Sequence, residues 1–197
     1  MRRSLLTITP LAVVLLLAGC AGSPAPSPSA IPTSAAPSPT SSPTSTAAVD
    51  PNAPAGQCAD SVLQVTVSGA DAGAGSISSN VVFTNTGRES CVLRGAPGVS
   101  VVGDGDGTQL GAAAVQQEDA APADVTLPAG GSASATLTSV NIGSDGGPLD
   151  DCEAVTGDGY RVYPPHSFTA VFVASSAVPA CSNTAVAWMT IGQVRAD

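Results

Sequence analysis

The stretch "VVFTNTGRESCVLRGAPGVSVV", residues 81–102, decides the fold. It begins and ends with runs of β-branched and aromatic residues, which favour extended strands. The residues between these runs are of types that form or redirect turns. We expect Phe83 to lie in the core and Asn85 and Gly87 to form a turn. Cys91 is then expected to lock the next strand, and Pro97-Gly98 to change the direction of the chain.

The same pattern extends over the rest of the chain from residue 57. In "SVLQVTV" (61–67), Leu63, Val65 and Val67 alternate with Val62, Gln64 and Thr66, which is the period of a half-buried strand. No window shows a sustained helical period. Short apolar runs separated by Gly, Asn and Asp clusters predict one all-β sandwich of about eight strands. The predicted strands are 61–67, 79–85, 98–103, 112–117, 132–142, 159–164, 167–174 and 185–192.

Four cysteines lie in this domain: Cys58, Cys91, Cys152 and Cys181. An even number in an exported domain predicts two disulfides, for which three pairings are possible. If the strands on either side of the Gly-rich turn pair as a hairpin, Cys58 approaches Cys91. A hairpin around residues 164–166 brings Cys152 towards Cys181 in the same way. This geometry favours 58–91 with 152–181, each worth about 3–4 kcal/mol in the chain-entropy estimate. The absence of Cys-x-x-Cys argues against a thiolate metal site.

The N-terminal segment has the features of an export signal that ends on a cysteine. The apolar run 5–17 follows a basic start and is too short to span a membrane. Leu17-Ala18-Gly19-Cys20 resembles the lipobox of bacterial lipoproteins, whose cysteine receives a diacylglyceryl group and becomes the N-terminus. The resemblance predicts a signal peptide over 1–19 and an acyl anchor on Cys20, which holds the chain in the lipid bilayer on the extracytoplasmic face of the cell membrane. Arg2-Arg3 leaves the choice between the Sec and twin-arginine routes open.

Ser, Thr, Pro and Ala make up most of residues 21–56. Such a segment buries too little apolar surface to offset the entropy of ordering. We therefore expect a lipidated cysteine and a disordered linker over 20–56, followed by the sandwich over 57–197. At about 3.1 Å per residue in polyproline II, the linker reaches on the order of 100 Å. Whether it is O-glycosylated stays open.

Three motifs of the sandwich resemble a known family. They are residues 81–102, "LPAGGSASATL" (127–137) and "YRVYPP" (160–165), followed by a late cysteine. Together they resemble a family of actinobacterial lipoproteins catalogued as domain of unknown function 4232, over about residues 57–192. The resemblance implies an immunoglobulin-like sandwich on a tethered lipoprotein, and it implies no activity.

Charge and residue types exclude several functions. Arg2 and Arg3 are lost with the leader, which leaves four of the six basic residues against 15 acidic ones, a net charge of −11. Such a chain repels nucleic acid. Its single histidine, His166, lies in a Pro-Pro-His turn without a Gly-x-Ser-x-Gly elbow, which argues against a Ser-His-Asp enzyme. A copper or zinc site would have only His166 and Met189 as free ligands. We expect no catalysis and no cofactor.

Two acidic loops are weak candidates for Ca²⁺. Asp104 and Asp106 in "GDGDGT" resemble the start of a calcium loop, but Val115 stands where the closing glutamate belongs. Asp150 and Asp151 lie in a second acidic loop, "SDGGPLDDCE". Asp-Gly pairs are also strong hairpin-turn signals, which favours ordinary turns.

The remaining side chains with a chemical role are expected to be structural. Trp188 is expected to pack between the sheets, and Arg88, Arg94 and Arg161 are expected to pair with carboxylates. The predicted function is therefore that of a membrane-anchored, non-catalytic module that binds an envelope protein or a cell-wall component. The alternative is a lipoprotein that binds a small ligand or Ca²⁺ through its acidic loops.

Overall fold

The computed structural model describes residues 49–118 and 120–197. These residues form twelve β-strands and one short 3-10 turn, Asp60–Val62, with no α-helix among them. The strands are β1 Leu63–Gly73, β2 Ser76–Asn85, β3 Cys91–Arg94, β4 Gly98–Gly103, β5 Thr108–Leu110, β6 Val115–Gln116, β7 Asp124–Leu127, β8 Ser132–Val140, β9 Ala154–Tyr163, β10 Val171–Cys181, β11 Met189–Ile191 and β12 Arg195–Ala196. Within this part of the chain, no helix has the length and apolar character needed to cross a membrane.

The strands form two main sheets and one small one. The first main sheet has the order β1-β2-β8-β11-β6, and β12 also pairs with β8. Its pairs are antiparallel except for the short parallel contact between β11 and β6. The second has the order β10-β9-β4-β5, and β3 pairs with β7 separately. All of these pairs are antiparallel.

The core lies between the two main sheets. In β1, Leu63 and Val65 are buried while Gln64 and Thr66 are exposed, so the predicted alternation is confirmed. A single apolar cluster joins side chains of the first sheet, such as the fully buried Phe83, to side chains of the second. The all-β sandwich predicted from the sequence is therefore confirmed, because both sheets cover the same apolar layer.

Asn85 closes the turn that follows β2, as expected. Its side chain is fully buried. The Nδ2 atom donates to the carbonyl oxygens of Glu89, Leu127 and Pro128 at 2.8, 3.1 and 3.2 Å, and Oδ1 accepts the Gly87 N–H at 2.9 Å. One amide thereby joins the β2–β3 turn to the turn between β7 and β8.

Both disulfides have the pairing that the hairpin argument favoured. Cys58 is bonded to Cys91 and Cys152 to Cys181, with Cα–Cα separations of 4.8 and 5.0 Å. Beside the β1–β2 hairpin, the Cys58 N–H donates to the carbonyl of Val92 at 2.9 Å, and this hydrogen bond places Cys58 next to Cys91. The second joins the open end of the β9–β10 hairpin.

The structure has more strands than the eight predicted, and several are shorter. The predicted strand 112–117 contains only the two residues of β6, because Ala112 and Ala114 bond to Val186 and Val99 outside any ladder. The predicted strand 185–192 shrinks to β11, while β3, β5, β7 and β12 were not predicted. Strands of two to four residues are defined by their partners, and local sequence does not reveal those partners.

The β9–β10 hairpin also departs from its predicted bounds. The strand expected over 167–174 begins at Val171 and continues to Cys181, and the strand expected from residue 159 begins at Ala154. The register shifts between Ala174 and Val178. Phe172 and Ala174 are exposed before the shift, whereas Val178 and Ala180 are buried after it. The alternation of the sequence no longer predicts burial beyond a bulge, because the bulge exchanges the core-facing and the outward-facing sides of the strand.

The folded unit reaches further towards the N-terminus than residue 57. The Asn52 carbonyl accepts a hydrogen bond from Arg94 at 2.7 Å, and Asp50 pairs with His166 at 2.8 Å. The end of the predicted linker therefore packs on the sandwich. The predicted signal peptide, Cys20 and the linker up to residue 48 lie outside the described residues.

Candidate functional site

All three exposed aromatic side chains of the described residues belong to the β9–β10 hairpin. The sequence has only six aromatic residues: three Phe, two Tyr and one Trp. Tyr163, Phe168 and Phe172 expose 37%, 64% and 57% of their surface. Isolated exposed apolar residues are common, but an aromatic group on one element of an aromatic-poor protein is a candidate contact surface. We call these three residues and the adjoining groove the hairpin surface.

The groove lies on the outer face of the second sheet and has a volume of about 510 Å³. Val102 projects to this outer face yet is only 1% exposed, because the β4–β5 turn and neighbouring side chains cover it. Phe172 lines the groove and is paired across the ladder with Arg161. The lining is completed by Gly105, Asp106, Gly107, Asp158 and Ala170.

Hydrogen bonds fix the polar wall of the groove. The Arg161 guanidinium donates to the Gly107 carbonyl, and the Gly105 N–H donates to Asp158 Oδ2 at 2.8 Å. Asp106 Oδ1 accepts from the Thr108 hydroxyl at 2.7 Å and from its N–H at 2.9 Å. These two bonds, the hydroxyl first, lower the pKa of Asp106 below its ordinary value. The groove therefore presents one cation and one carboxylate from β9 and a second carboxylate from the β4–β5 turn, which these hydrogen bonds hold in place.

The expected pairing of three arginines with carboxylates is right for one of them and wrong for the other two. Arg94 lies 3.4 Å from Asp124, at a partly exposed position. Arg161 instead satisfies a backbone carbonyl, and no ion pair to it is found among the described residues. For Arg88 the described residues likewise show no ion pair.

A second pocket lies at the tip of the hairpin, where the segment before β1 packs. His166 Nδ1 is 2.8 Å from Asp50 Oδ2, and Gln57 Nε2 donates to the Pro165 carbonyl at 2.9 Å. The backbone N–H of Asn52 and then the His166 side chain lower the pKa of Asp50. Nδ1 of His166 is bonded to Asp50. This pocket, which Phe168 also lines, therefore holds the segment before β1 against the tip of the hairpin.

The predicted calcium ligands do not form a site with three or more acidic ligands. Asp104 and Asp106 lie in the β4–β5 turn, and Asp150 and Asp151 lie in the loop before β9. Across residues 49–118 and 120–197, no three His, Cys, Asp or Glu side chains come close enough to hold one ion. The Ca²⁺ alternative stays a prediction without a built site.

The two other candidate ligands lie in separate parts of the fold. Met189 is buried at the start of β11, in the first sheet. His166 is in the connection between β9 and β10, in the second sheet. Trp188 is buried as expected, at 4% exposure.

Sequence reasoning missed the hairpin surface, because both faces of the strand that contains Phe172 are apolar and the sequence does not show which of them is the outer one. The sequence predicted a strand over 167–174 without assigning either of its faces to the core. In this strand Phe172 lies on one face, and Val171 and Val173 lie on the other face, which packs on the core. Only the pairing with Arg161 shows that the phenylalanine side is the outer one.

No curated protein and no solved structure matches the chain. One family model, described as a domain of unknown function (DUF4232), matches residues 58–195. The match includes both disulfides, the groove and all the strands up to the start of β12, in agreement with the resemblance carried by the motifs. The chain therefore belongs to the DUF4232 family.

Proposed function

We propose that this protein is a membrane-anchored extracytoplasmic module that binds a polypeptide of the cell envelope through its hairpin surface and catalyses no reaction. One observation carries the proposal: half of the chain's few aromatic side chains are exposed on a single hairpin. Aromatic residues beside a preformed groove are the usual centres of binding energy in protein interfaces. A partner that buries these aromatic side chains would remove the free-energy cost of their exposure to water.

The chemistry of the groove favours a polypeptide over a purely apolar ligand. Phe172 and the exposed Ala170 offer an apolar contact, while Arg161, Asp106 and Asp158 offer charges of both signs. A peptide segment supplies an apolar side chain, carbonyl acceptors and N–H donors together. The chain's excess of acidic residues favours a partner with positive charge, since complementary potentials speed the encounter.

The predicted anchor supports an envelope partner. A diacylated Cys20 would confine the module to the membrane surface, and the linker would give it a reach on the order of 100 Å. Tethering of both molecules near one surface raises their effective concentration, so a surface of modest area suffices.

Site-specific cross-linking in intact cells tests the binding surface. A photoreactive phenylalanine analogue is placed at Phe172, and in a control at Thr126, which is exposed on β7 in the small sheet. We expect one product of defined mass from position 172 and none from position 126. The Phe168→Ser variant should weaken the product from position 172. Equal products at both positions, or none at position 172, would contradict the proposed surface.

The anchor is tested separately by mass analysis of the mature chain. We expect a diacylglyceryl group on an N-terminal Cys20 in the membrane fraction, and release of the Cys20→Ala variant from that fraction. An unmodified Cys20 on a membrane-free chain would contradict the anchor and leave the hairpin surface to be judged by its own experiment.

A further inference from the structure

A third cavity lies between the two main sheets, away from the hairpin surface. Its volume is about 170 Å³. Its walls come from both sheets, and most of them are apolar side chains of the core. The main lining residues are Ile77, Leu137, Ile142, Tyr160, Trp188 and Met189.

Tyr160 gives this cavity its distinctive polar group. Its side chain is partly buried, and no side-chain hydrogen bond of its hydroxyl is found among the described residues. Burial raises the pKa of Tyr160 above its ordinary value, so the hydroxyl stays protonated and can donate. The hydroxyl is not enclosed by protein atoms, so water can reach it, and a ligand acceptor can take the place of that water.

The bulge in β10 forms the entrance. Residues 175–177 separate the two paired parts of β10, and they line the cavity. Ser176 and Ala177 are exposed, and Ala177 has a φ of 58°, a left-handed conformation that is costly for alanine. Such bulges recur beside functional sites, where they interrupt pairing and open the sheet.

We propose that the inter-sheet cavity binds a small apolar molecule of about the size of a six-membered ring, with one hydrogen-bond acceptor held by the Tyr160 hydroxyl. The volume sets the size, because an apolar cavity of roughly 150 Å³ accommodates benzene. The core side chains select an apolar body, and the unpartnered hydroxyl selects the acceptor. The site uses none of the residues of the hairpin surface.

The test uses Trp188, which is the only tryptophan of the chain and lines the cavity. Its indole N–H gives a single resonance in a proton–nitrogen spectrum of the full-length protein. Cyclohexanone, a ring with one acceptor, is titrated in parallel with toluene, which has none. We expect a saturable shift of the Trp188 resonance with cyclohexanone and weaker binding of toluene.

The two tyrosines of β9 provide a matched pair of variants. Tyr160→Phe should weaken cyclohexanone binding by about three- to tenfold, because it removes one hydrogen bond, and should leave toluene binding unchanged. Tyr163→Phe, on the outer face of the same strand, should change neither. Equal cyclohexanone affinities in the two variants would overturn the role of Tyr160.

Filling the cavity provides the second arm. Ser79 lines the cavity, and Ser78 lies on the opposite face of β2. Ser79→Leu should abolish the saturable shift and Ser78→Leu should retain it. A linear, non-saturating shift in the wild type would show a packing gap that binds nothing and would overturn the proposal. If Ser79→Leu does not fold, the wild-type titration and the tyrosine pair decide.

Discussion

The stretch 81–102 and the β9–β10 hairpin are built from similar residues and secured in similar ways, yet they differ in burial. In the first, Phe83 and Asn85 are fully buried and every polar atom of Asn85 has a partner. In the second, Phe168 and Phe172 are more than half exposed, and the strand is interrupted by a bulge. Each region has one disulfide, with sequence separations of 33 and 29 residues.

The difference shows how the domain separates stability from recognition. Because the two disulfides close loops of nearly equal length, their entropic contributions are nearly equal. The contrast between the regions therefore comes from packing and hydrogen bonding. The stretch 81–102 fixes the fold, and the hairpin, held by the same kind of cross-link, can leave side chains unburied.

The largest expected difference is between two phenylalanines. Phe83→Ala should destabilise the protein by about 3–5 kcal/mol, since it leaves a cavity in the core. Phe172→Ala should change the free energy of unfolding by no more than about 0.5 kcal/mol, because its ring is 57% exposed. Urea unfolding of the two variants measures both. Similar losses would show that the hairpin surface is part of the structural core.

A substitution of Asn85 tests whether hydrogen bonds stabilise the stretch 81–102. Asn85→Asp keeps the shape but turns a donor that faces three carbonyls into a buried acceptor, and it should cost about 3 kcal/mol. Asn80→Asp, at an exposed position on the same strand, should cost less than about 0.5 kcal/mol. If both substitutions are tolerated equally, Asn85 does not join the turns energetically.

Gly111 tests the packing of Trp188, which lines the inter-sheet cavity. Gly111 has a φ of 67°, and a methyl group there would overlap the Trp188 ring. Gly111→Ala should therefore cost about 2–3 kcal/mol, the sum of left-handed strain and overpacking. Gly130→Ala, with a φ of 74° and nothing within 4 Å, should cost about 1 kcal/mol. Thermal unfolding compares them, and equal costs would mean that the ring moves aside freely.

The smallest expected effect concerns the tip of the hairpin and depends on pH. The pKa of Asp50 is lowered in the folded protein, so its ionised form adds stability above the unfolded pKa, and this is lost as pH falls through the folded pKa. The stability advantage of the wild type over Asp50→Asn should shrink as the pH falls from about 5 to below the ordinary pKa of an aspartate. A difference that stays constant over this range would exclude the contribution of the carboxylate.

The stretch 81–102 could be predicted from the sequence, whereas the exposed face of the β9–β10 hairpin could not. The residues of 81–102 act locally: the alternation, the turn residues and the cysteine all agree on one structure, and β4 has the predicted bounds. The hairpin surface could not be predicted, because a strand that alternates Phe172 with valines has two apolar faces. Which of them meets the core depends on a register that crosses the sheet.

The sequence by itself determined the all-β class and the family and favoured the observed pairing of the cysteines, because these depend on periodicity, turn chemistry and motifs that neighbouring residues carry. Tertiary structure alone decided that Arg161 binds a carbonyl, that Phe172 faces outward and that Tyr160 shares a cavity with Trp188. Those facts depend on contacts between residues far apart in the chain. The pairing of Phe172 with Arg161 decides which face of β10 the ring takes, and no local pattern encodes that register.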